Sequence, residues 1–259
     1  MINYSFNIRL FFLLSFIVFA SFKLDKEKIT IFSIGDSTMA DYNIERLSTE
    51  FEGDNYPLRG WMMMMPQFFN DHVTIHNSAA SGRSSKSFRT QGFWKKVIEK
   101  IKPGDYVFIQ FGHNDAKIDS LRYTEPRTSF RQNIINYVNE AKTKGAFPVL
   151  FTSVVRRNFD SNGSLVDTHG EYVTVIRDLA REMQIPLVDL NKKSAELVQK
   201  LGPEESKKLY LWIEPGLFKK LPEGKKDDTH FSIFGATKIA QLATQSFQEL
   251  GLPVGKYLK

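Results

Sequence analysis

Three residues have the side chains that nucleophilic catalysis requires, and one of them lies far from the other two in the chain. Ser37 lies in the stretch Gly-Asp-Ser-Thr that ends an apolar, β-branched run, and Asp227 and His230 stand together near the C-terminus. A serine hydroxyl becomes a nucleophile when an imidazole takes its proton and a carboxylate orients that imidazole. The spacing of Asp227 and His230 lets the carboxylate reach the near imidazole nitrogen. We therefore predict that His230 takes the Ser37 proton and that Asp227 holds the imidazole.

An acyl-transfer site also needs hydrogen-bond donors for the negatively charged oxygen of its intermediate. Two further polar stretches supply candidates, because one contains Gly82 and the other contains Asn114. Glycine lets the backbone come close to a ligand without a Cβ in between. The sequence thus predicts an oxyanion hole made of the Ser37 N–H, the Gly82 N–H and the side-chain amide of Asn114.

Each of these residues also has a purely structural alternative. Serine caps helices, and glycine and asparagine form turns, which applies to Ser37, Gly82 and Asn114. His230 has the alternative of a structural histidine in front of a helix. The combination of all these types in one chain favours the catalytic interpretation.

Sequence neighbours leave some assignments open. Asp228 competes with Asp227, and either carboxylate is suited to cap the helix that follows. The spacing to the imidazole favours Asp227. His113 and Asp115 flank Asn114, where they either line the pocket or orient the loop through hydrogen bonds.

The elements that position these residues alternate between apolar runs and helical patterns. Such alternation predicts an α/β fold with one parallel sheet covered by helices on both faces, in a single domain. The sites of such sheets lie beyond the carboxyl ends of the strands, where the polar stretches fall. Strands are predicted at residues 28–35, 72–78, 105–112, 148–155 and 186–190, and helices at 58–69, 92–101, 128–144, 171–183, 192–201 and 233–250.

Composition narrows the class of protein. The chain has 259 residues, 42% hydrophobic and 25% charged, which is ordinary for a globular protein with one sizeable core. Its net charge of +6 is spread over the sequence, so we expect no nucleic-acid partner. It has no cysteine, which excludes disulfides and thiolate chemistry. His72, His76 and His169 show no metal-ligand spacing, and no metal site is predicted.

The N-terminal residues have the pattern of an export signal. Arg9 precedes an apolar stretch from residue 10 to about 22, and charged residues follow directly. We expect a signal peptide at 1–22, a mature domain at 23–259, and a secreted or periplasmic protein without stable membrane insertion after cleavage. An uncleaved membrane anchor is the alternative, since the residues around position 20 make a poor cleavage site.

The polar stretches, taken in order, resemble the SGNH (GDSL-type) hydrolase superfamily. The strings GDSTMADY, NSAASGRSSKSF, QFGHND and DDTHFSIFGA are similar to its rhamnogalacturonan acetylesterase branch, over residues 31 to 250. This resemblance implies a flavodoxin-like three-layer α/β/α sandwich with a five-stranded parallel sheet. It also implies a triad of Ser37, Asp227 and His230, and no cofactor.

The resemblance further implies a substrate, acetylated rhamnogalacturonan from pectin, whose acetyl group would pass through Ser37 to water. Acetylated xylan or a small acetylated sugar is the nearest alternative. The chain is expected to act as a monomer. Arg156 and Arg157 follow the fourth predicted strand and suit a galacturonate carboxylate, although a salt bridge is the more ordinary role for such arginines.

Two other functional classes stay open from the sequence. A lipid esterase, lysophospholipase or thioesterase would use the same site but would need a continuous apolar groove. A polysaccharide-binding protein without catalysis would share the fold alone. One departure from the family pattern is the run Met62–Met65, which follows Gly60 and Trp61 and suits either core packing or a pocket wall.

Overall fold

A computed structural model describes residues 28–51 and 56–259; the predicted signal peptide at 1–22 lies outside these ranges. The strands are β1 (Ile29–Gly35), β2 (Val73–Asn77), β3 (Tyr106–Gln110), β4 (Phe147–Phe151), β5 (Leu187–Val188), β6 (Tyr210–Ile213) and β7 (Lys225–Phe231). The helices are α1 (Ile44–Glu50), α2 (Ser85–Thr90), α3 (Phe93–Ile98), α4 (Arg131–Thr143), α5 (Glu171–Glu182), α6 (Leu190–Glu205) and α7 (Ile233–Glu249).

The first five strands form one parallel sheet in the order β2-β1-β3-β4-β5. The predicted α/β fold with a five-stranded parallel sheet is confirmed. Successive residues of β1 face opposite sides, so Ile31 enters one core and Phe32 the other. Because the sheet is covered on both faces, side chains on both sides of each strand are buried, and this explains the almost continuous apolar runs in the strand sequences.

Helices cover both faces of the sheet. Helices α6 and α7 pack on one face, where α7 contributes apolar residues at helical spacing. Helices α2 to α5 pack on the other face, and α4 contributes Ile134, Tyr137, Val138 and Ala141, one side of a helix. The architecture is therefore helix, sheet, helix in three layers.

The strand order places a crevice at the end of β1. The chain moves from β1 to β2 on one side and then to β3 on the other, so β1 is the switch point of the topology. Ligands of open α/β sheets bind at such a point, outside the carboxyl ends of the strands. Ser37 lies two residues after the end of β1.

Some elements differ from the sequence prediction. The predicted helix 58–69 is a 3-10 helix over Trp61–Phe68, and the predicted helix 128–144 begins as a π-helical turn, Pro126–Phe130. Helices α1 and α2 were not predicted. The antiparallel pair β6–β7 was not predicted either, and it places Asp227 and His230 on strand β7.

None of the helices within residues 28–51 and 56–259 is both long enough and apolar enough to cross a membrane.

Candidate active site

The turn after β1, residues 36–38, holds Ser37 with 7% of its surface exposed. Asp36 shapes this turn, because its Oδ1 accepts hydrogen bonds from the N–H and the hydroxyl of Thr38, each at 2.9 Å. Its Oδ2 is buried and has no partner among the described residues, and burial raises the pKa of Asp36 to about 6. Asp36 therefore supports the turn from inside the protein and is not accessible to a substrate.

A second set of hydrogen bonds fastens this turn to the sheet. The Trp61 N–H donates to the Thr38 carbonyl at 2.9 Å, and Gln110 Nε2 donates to the Thr38 hydroxyl at 2.8 Å. Trp61 and Gln110 are joined in turn by the indole N–H at 3.2 Å. Asn77 Nδ2 donates to the Met39 carbonyl at 2.7 Å. The backbone around Ser37 is thus held in place by hydrogen bonds from Trp61, Gln110 and Asn77.

The methionine run contributes to the same support. Met62 and Met65 are buried in the core on the α6–α7 face of the sheet. The Met63 sulfur accepts a hydrogen bond from the Tyr42 N–H at 3.3 Å. The methionine run therefore packs against the segment that follows Ser37. Tyr42, which belongs to that segment, was not identified from the sequence.

Ser37, His230 and Asp227 lie in one line of hydrogen bonds. His230 Nε2 is 2.9 Å from Ser37 Oγ, and its Nδ1 is 2.9 Å from Asp227 Oδ2. Asp227 Oδ1 accepts the backbone N–H groups of Thr229 and His230, each at 3.0 Å, which fixes the carboxylate. With the Nδ1 proton directed to Asp227, Nε2 is left to take the Ser37 proton.

The structure distinguishes Asp227 from its neighbour. Burial alone would raise the pKa of Asp227, but the hydrogen bonds and charge of His230 hold that pKa well below its usual range. Asp227 is therefore a carboxylate that orients His230. Asp228 instead accepts from Arg157 at 2.9 Å and from the Trp212 indole N–H at 2.8 Å. The geometry pairs His230 with Asp227, as the spacing predicts.

The three candidate oxyanion donors, Ser37 N–H, Gly82 N–H and the Asn114 amide, keep N–H groups that no acceptor among the described residues uses. Neither the Ser37 N–H nor the Gly82 N–H donates to an acceptor in the described part of the chain. Asn114 Nδ2 donates to the Arg83 carbonyl at 3.0 Å, which leaves its second N–H available. Gly82 has φ +75°, which favours glycine, and no described atom lies within 4 Å of where its Cβ would be.

Asp115 ties the loop that contains Gly82 to the loop that contains Asn114. Its Oδ1 accepts from the Ser85 N–H, the Ser85 hydroxyl and the Thr124 hydroxyl at 3.0, 2.6 and 2.9 Å. Its Oδ2 accepts from the Gly112 N–H at 3.1 Å, and the residue is fully buried. Of its two possible roles, the geometry favours orientation of the loop over contact with a substrate.

His113 belongs to a buried polar cluster beside Asn114. His169 Nε2 lies 3.1 Å from His113 Nδ1, and the Arg156 guanidinium donates to the His113 carbonyl at 3.0 Å. Burial lowers the pKa of His169 to about 3 and moves the pKa of His113 well below its ordinary value. Both imidazoles are neutral, so the cluster holds the Asn114 loop through hydrogen bonds.

The two adjacent arginines have different environments. Arg157 forms an ion pair with Asp228 and donates to the Pro203 carbonyl, and its guanidinium lies 4.9 Å from the Trp212 ring centre. These contacts give Arg157 a structural role, which agrees with the salt-bridge alternative. Arg156 has no carboxylate partner among the described residues.

No three His, Asp or Glu side chains in residues 28–51 and 56–259 are arranged as a metal site. A serine nucleophile with an imidazole base and candidate N–H donors for an oxyanion is suited to acyl transfer from an ester.

A three-layer α/β fold with this line of residues at the carboxyl edge of its sheet defines an SGNH-type hydrolase, an enzyme of carboxylic esters. The chain belongs to the GDSL-like lipase/acylhydrolase family, whose model matches residues 33–233.

Similar proteins fit this class. The chain is 40% identical over 233 residues to the rhamnogalacturonan acetylesterase RhgT of Bacillus subtilis (strain 168), covering 90% of this chain and 95% of that one. The crystal structure of Bacillus subtilis YxiM superposes with a TM-score of 0.72 at 28% identity, over 87% of this chain and 58% of YxiM. A structure of an acetylxylan esterase from Geobacillus stearothermophilus gives a TM-score of 0.58 at 15% identity, over 85% and 94% of the two chains. That last likeness concerns the fold alone.

Proposed function

We propose that this protein is an exported serine esterase that removes O-acetyl groups from rhamnogalacturonan, the acidic backbone of part of pectin. The proposal rests mainly on two hydrogen bonds of 2.9 Å, one between Ser37 Oγ and His230 Nε2 and one between His230 Nδ1 and Asp227 Oδ2. The 40% identity to RhgT supports the acetyl group and the polymer as the substrate.

The reaction begins with attack of Ser37 Oγ on the acetyl carbonyl carbon, while His230 Nε2 takes the hydroxyl proton. The tetrahedral intermediate collapses when the C–O bond to the sugar breaks, and His230 returns its proton to the departing sugar hydroxyl. A water molecule then attacks the acetyl-enzyme, again losing a proton to His230. Acetate leaves and Ser37 regains its proton, so the site ends each cycle as it began.

The donors around Ser37 act on the oxygen that becomes negative. The Ser37 N–H, the Gly82 N–H and the free N–H of Asn114 are fixed before the substrate binds, so they need no reorganisation when charge develops. Loss of one such donor typically lowers kcat by about 100- to 1,000-fold. Asp227 remains ionised and stabilises the imidazolium that forms on His230.

One apolar cavity of the described residues lies away from the candidate active site. A cavity of about 390 Å³, lined by residues such as Ile29, Phe147 and Leu252, lies at the amino ends of the strands. Ser37 and His230 lie at the opposite, carboxyl edge of the same sheet. This cavity therefore cannot hold an acyl chain whose ester is attacked by Ser37.

Export is part of the proposal and has its own test. The apolar stretch 10–22 after Arg9 motivates a cleaved signal peptide. The full-length chain would be expressed in a bacterium, and the N-terminus of protein recovered outside the cytoplasm would be sequenced. A mature N-terminus near residue 23 supports cleavage, whereas an intact N-terminus in the membrane fraction supports the anchor.

The catalytic proposal is tested by acetate release from acetylated rhamnogalacturonan, acetylated xylan and an aryl acetate. Wild type, Ser37→Ala and Ser164→Ala are compared, since Ser164 is an exposed loop serine outside the site. We expect release from rhamnogalacturonan that Ser37→Ala abolishes and Ser164→Ala retains. Activity on the aryl acetate or xylan alone would reject the pectic substrate. Folded protein inactive on all three would favour a binding protein.

A further inference from the structure

Two neighbouring segments support the residue directly before Asn114. Arg156, in the segment after β4, donates from Nη2 to the His113 carbonyl at 3.0 Å and from Nη1 to the Thr168 hydroxyl at 3.0 Å. His169, in the loop before α5, places its Nε2 3.1 Å from His113 Nδ1. The backbone of His113 is therefore held by Arg156, and its ring is held by His169.

The positions of the donors assign the protons of the two imidazoles. Burial lowers the pKa of both His113 and His169, so each ring carries a single proton. Arg156 Nη1 lies 3.4 Å from His169 Nε2, and a guanidinium only donates hydrogen bonds. His169 Nε2 is therefore the acceptor, and His113 donates to it through its Nδ1 proton.

The ring of His113 depends on this one contact. Its Nε2 is buried and has no hydrogen-bond partner among the described residues. The two rings meet edge to face, with their centres 4.6 Å apart. His113 and His169 are 3% and 4% exposed, so bulk water does not replace a lost partner. Loss of the acceptor on His169 would leave both ring nitrogens of His113 without a partner.

His169 itself is fixed to the start of α5. Asp167 accepts from the His169 N–H through Oδ1 and from the Gly170 N–H through Oδ2, each at 2.9 Å. The Tyr172 hydroxyl donates to the Thr124 carbonyl at 2.6 Å, which attaches the first turn of α5 to the segment after Asn114. The loop before α5 is thus a fixed support for the His113 ring.

The direction of the Asn114 amide depends on these supports. One of its N–H groups donates to the Arg83 carbonyl at 3.0 Å, and the other is the candidate oxyanion donor. The second N–H keeps its direction only while the backbone of residues 113 and 114 stays in place. A displacement of about 1 Å at a reacting group lowers a rate about 100-fold.

We propose that Arg156 and His169 are positioning residues, which act through His113 to keep the free N–H of Asn114 directed at the developing oxyanion. This inference rests on the proposed function, in which Asn114 is an oxyanion donor. Arg156 then serves the reaction through two hydrogen bonds inside the protein. Its effect appears on any ester that Ser37 attacks, whether or not the substrate is charged.

The first test removes each support and uses a neutral aryl acetate as the substrate. Arg156→Met deletes the donors, and His169→Phe deletes the acceptor but keeps an aromatic ring. We expect each variant to lower kcat about 10- to 100-fold, because a displaced donor stabilises the transition state less. KM should stay within about twofold, since the bond is formed mainly in the transition state. An unchanged kcat in both variants would overturn the proposal.

Conservative and control variants separate positioning from packing. The amide oxygen of His169→Gln takes the place of Nε2 and accepts from His113, whereas that of His169→Asn lies nearer to Nδ1. We expect His169→Gln to keep most of the wild-type kcat and His169→Asn to lose it. Arg89→Met, at a half-buried arginine paired with Glu140, should lower the free energy of unfolding and keep kcat. Equal losses of kcat in Arg89→Met and Arg156→Met would overturn the proposal.

A double-mutant cycle shows whether the effect passes through Asn114. Asn114→Ala alone should lower kcat about 100- to 1,000-fold. In that background, His169→Phe or Arg156→Met should lower kcat less than about twofold further, because no donor is left to position. His169→Asn takes the place of His169→Phe if the latter does not fold. Losses that multiply would overturn the proposal.

Failure of this inference and failure of the proposed function give different results. If Asn114→Ala and Ser37→Ala lose kcat but the Arg156 and His169 variants do not, the esterase mechanism stands and the positioning role is rejected. If Ser37→Ala keeps the wild-type turnover, the proposed function is rejected. Loss of kcat in all of these variants, with the non-additive cycle, supports both.

Discussion

The Tyr42 hydroxyl donates a hydrogen bond to the Ser37 carbonyl over 2.9 Å, in a buried setting. Tyr42 therefore fixes the backbone of the turn that carries Ser37, whose N–H is one of the candidate oxyanion donors. Because catalysis depends on donors fixed around the developing negative charge, we infer that Tyr42 is a positioning residue for the oxyanion hole.

Tyr42→Phe removes this link and keeps the aromatic ring. We expect kcat on an aryl acetate to fall about 5- to 10-fold, since one such hydrogen bond contributes about 1 kcal/mol. KM should change little, because Tyr42 is buried behind the Ser37 turn. Tyr210→Phe is the matched control, since the buried Tyr210 hydroxyl donates to the Val155 carbonyl at 2.8 Å. Equal losses of kcat in both variants would show a general stability effect and contradict the positioning role.

Asp227 and Asp228 offer a comparison between two adjacent carboxylates. Asp227→Asn keeps the size of the side chain but no longer holds the imidazole tautomer, so we expect kcat to fall about 10³- to 10⁴-fold with little loss of stability. Asp228→Asn weakens the contact with Arg157, which should lower the free energy of unfolding by about 1 kcal/mol and leave kcat near wild type. Kinetics and urea unfolding of both variants measure this. The reverse pattern would move the triad to Asp228.

The sequence predicted the parallel sheet well because its strands are buried on both faces and read as apolar runs. Ser37, Gly82 and Asn114 were placed by the rule that the carboxyl ends of parallel strands share one edge. Asp227 was paired with His230 from spacing alone, and the hydrogen bond at 2.9 Å has that geometry.

The parts that were missed depend on contacts between distant residues. The β7 segment Lys-Lys-Asp-Asp-Thr-His-Phe is mostly polar, so no periodicity indicates a strand, and its pairing with β6 fixes it. The predicted helix 58–69 has a helical apolar composition, but Pro66 lies within it and the Trp61 N–H donates to the Thr38 carbonyl. A 3-10 helix results where the apolar pattern suggests an ordinary one.

Asp115 should make stability depend on pH. Burial raises its pKa from 3.8 to about 7 in the folded protein. Because the folded state then binds the proton more tightly than the unfolded chain, its contribution is complete below about pH 4 and is lost as pH rises through 7. We expect this group to lower the free energy of unfolding by at most roughly 4 kcal/mol between pH 4 and 8.

Asp115→Asn cannot ionise and should flatten that part of the pH profile. It should also cost about 1–3 kcal/mol at pH 4, because an amide nitrogen would face N–H donors that the carboxyl oxygens accept. Urea unfolding between pH 4 and 8 measures both effects. Asp71→Asn, at an exposed aspartate, is the control and should keep the wild-type slope. An Asp115→Asn profile as steep as wild type would exclude Asp115 as the source.

Gly60 lies where the segment before the methionine run crosses the segment after Ser37. A Cβ at this position would be 2.1 Å from the Ala40 carbonyl oxygen and 2.4 Å from the Met39 carbonyl carbon. Both are backbone atoms of the segment that leaves the 36–38 turn, so they cannot move aside without moving the turn. We expect Gly60→Ala to lower the free energy of unfolding by about 3 kcal/mol or more, and to lower kcat in the protein that still folds.

Gly251→Ala separates this effect from the general loss of a glycine. Gly251 has φ +60°, and no described atom lies within 4 Å of its would-be Cβ. Alanine there meets only the strain of the left-handed backbone, about 1–2 kcal/mol, and should leave kcat unchanged. Urea unfolding and aryl acetate turnover of both variants make the comparison. If the two substitutions lower the free energy of unfolding equally and neither changes kcat, close packing at Gly60 does not position Ser37.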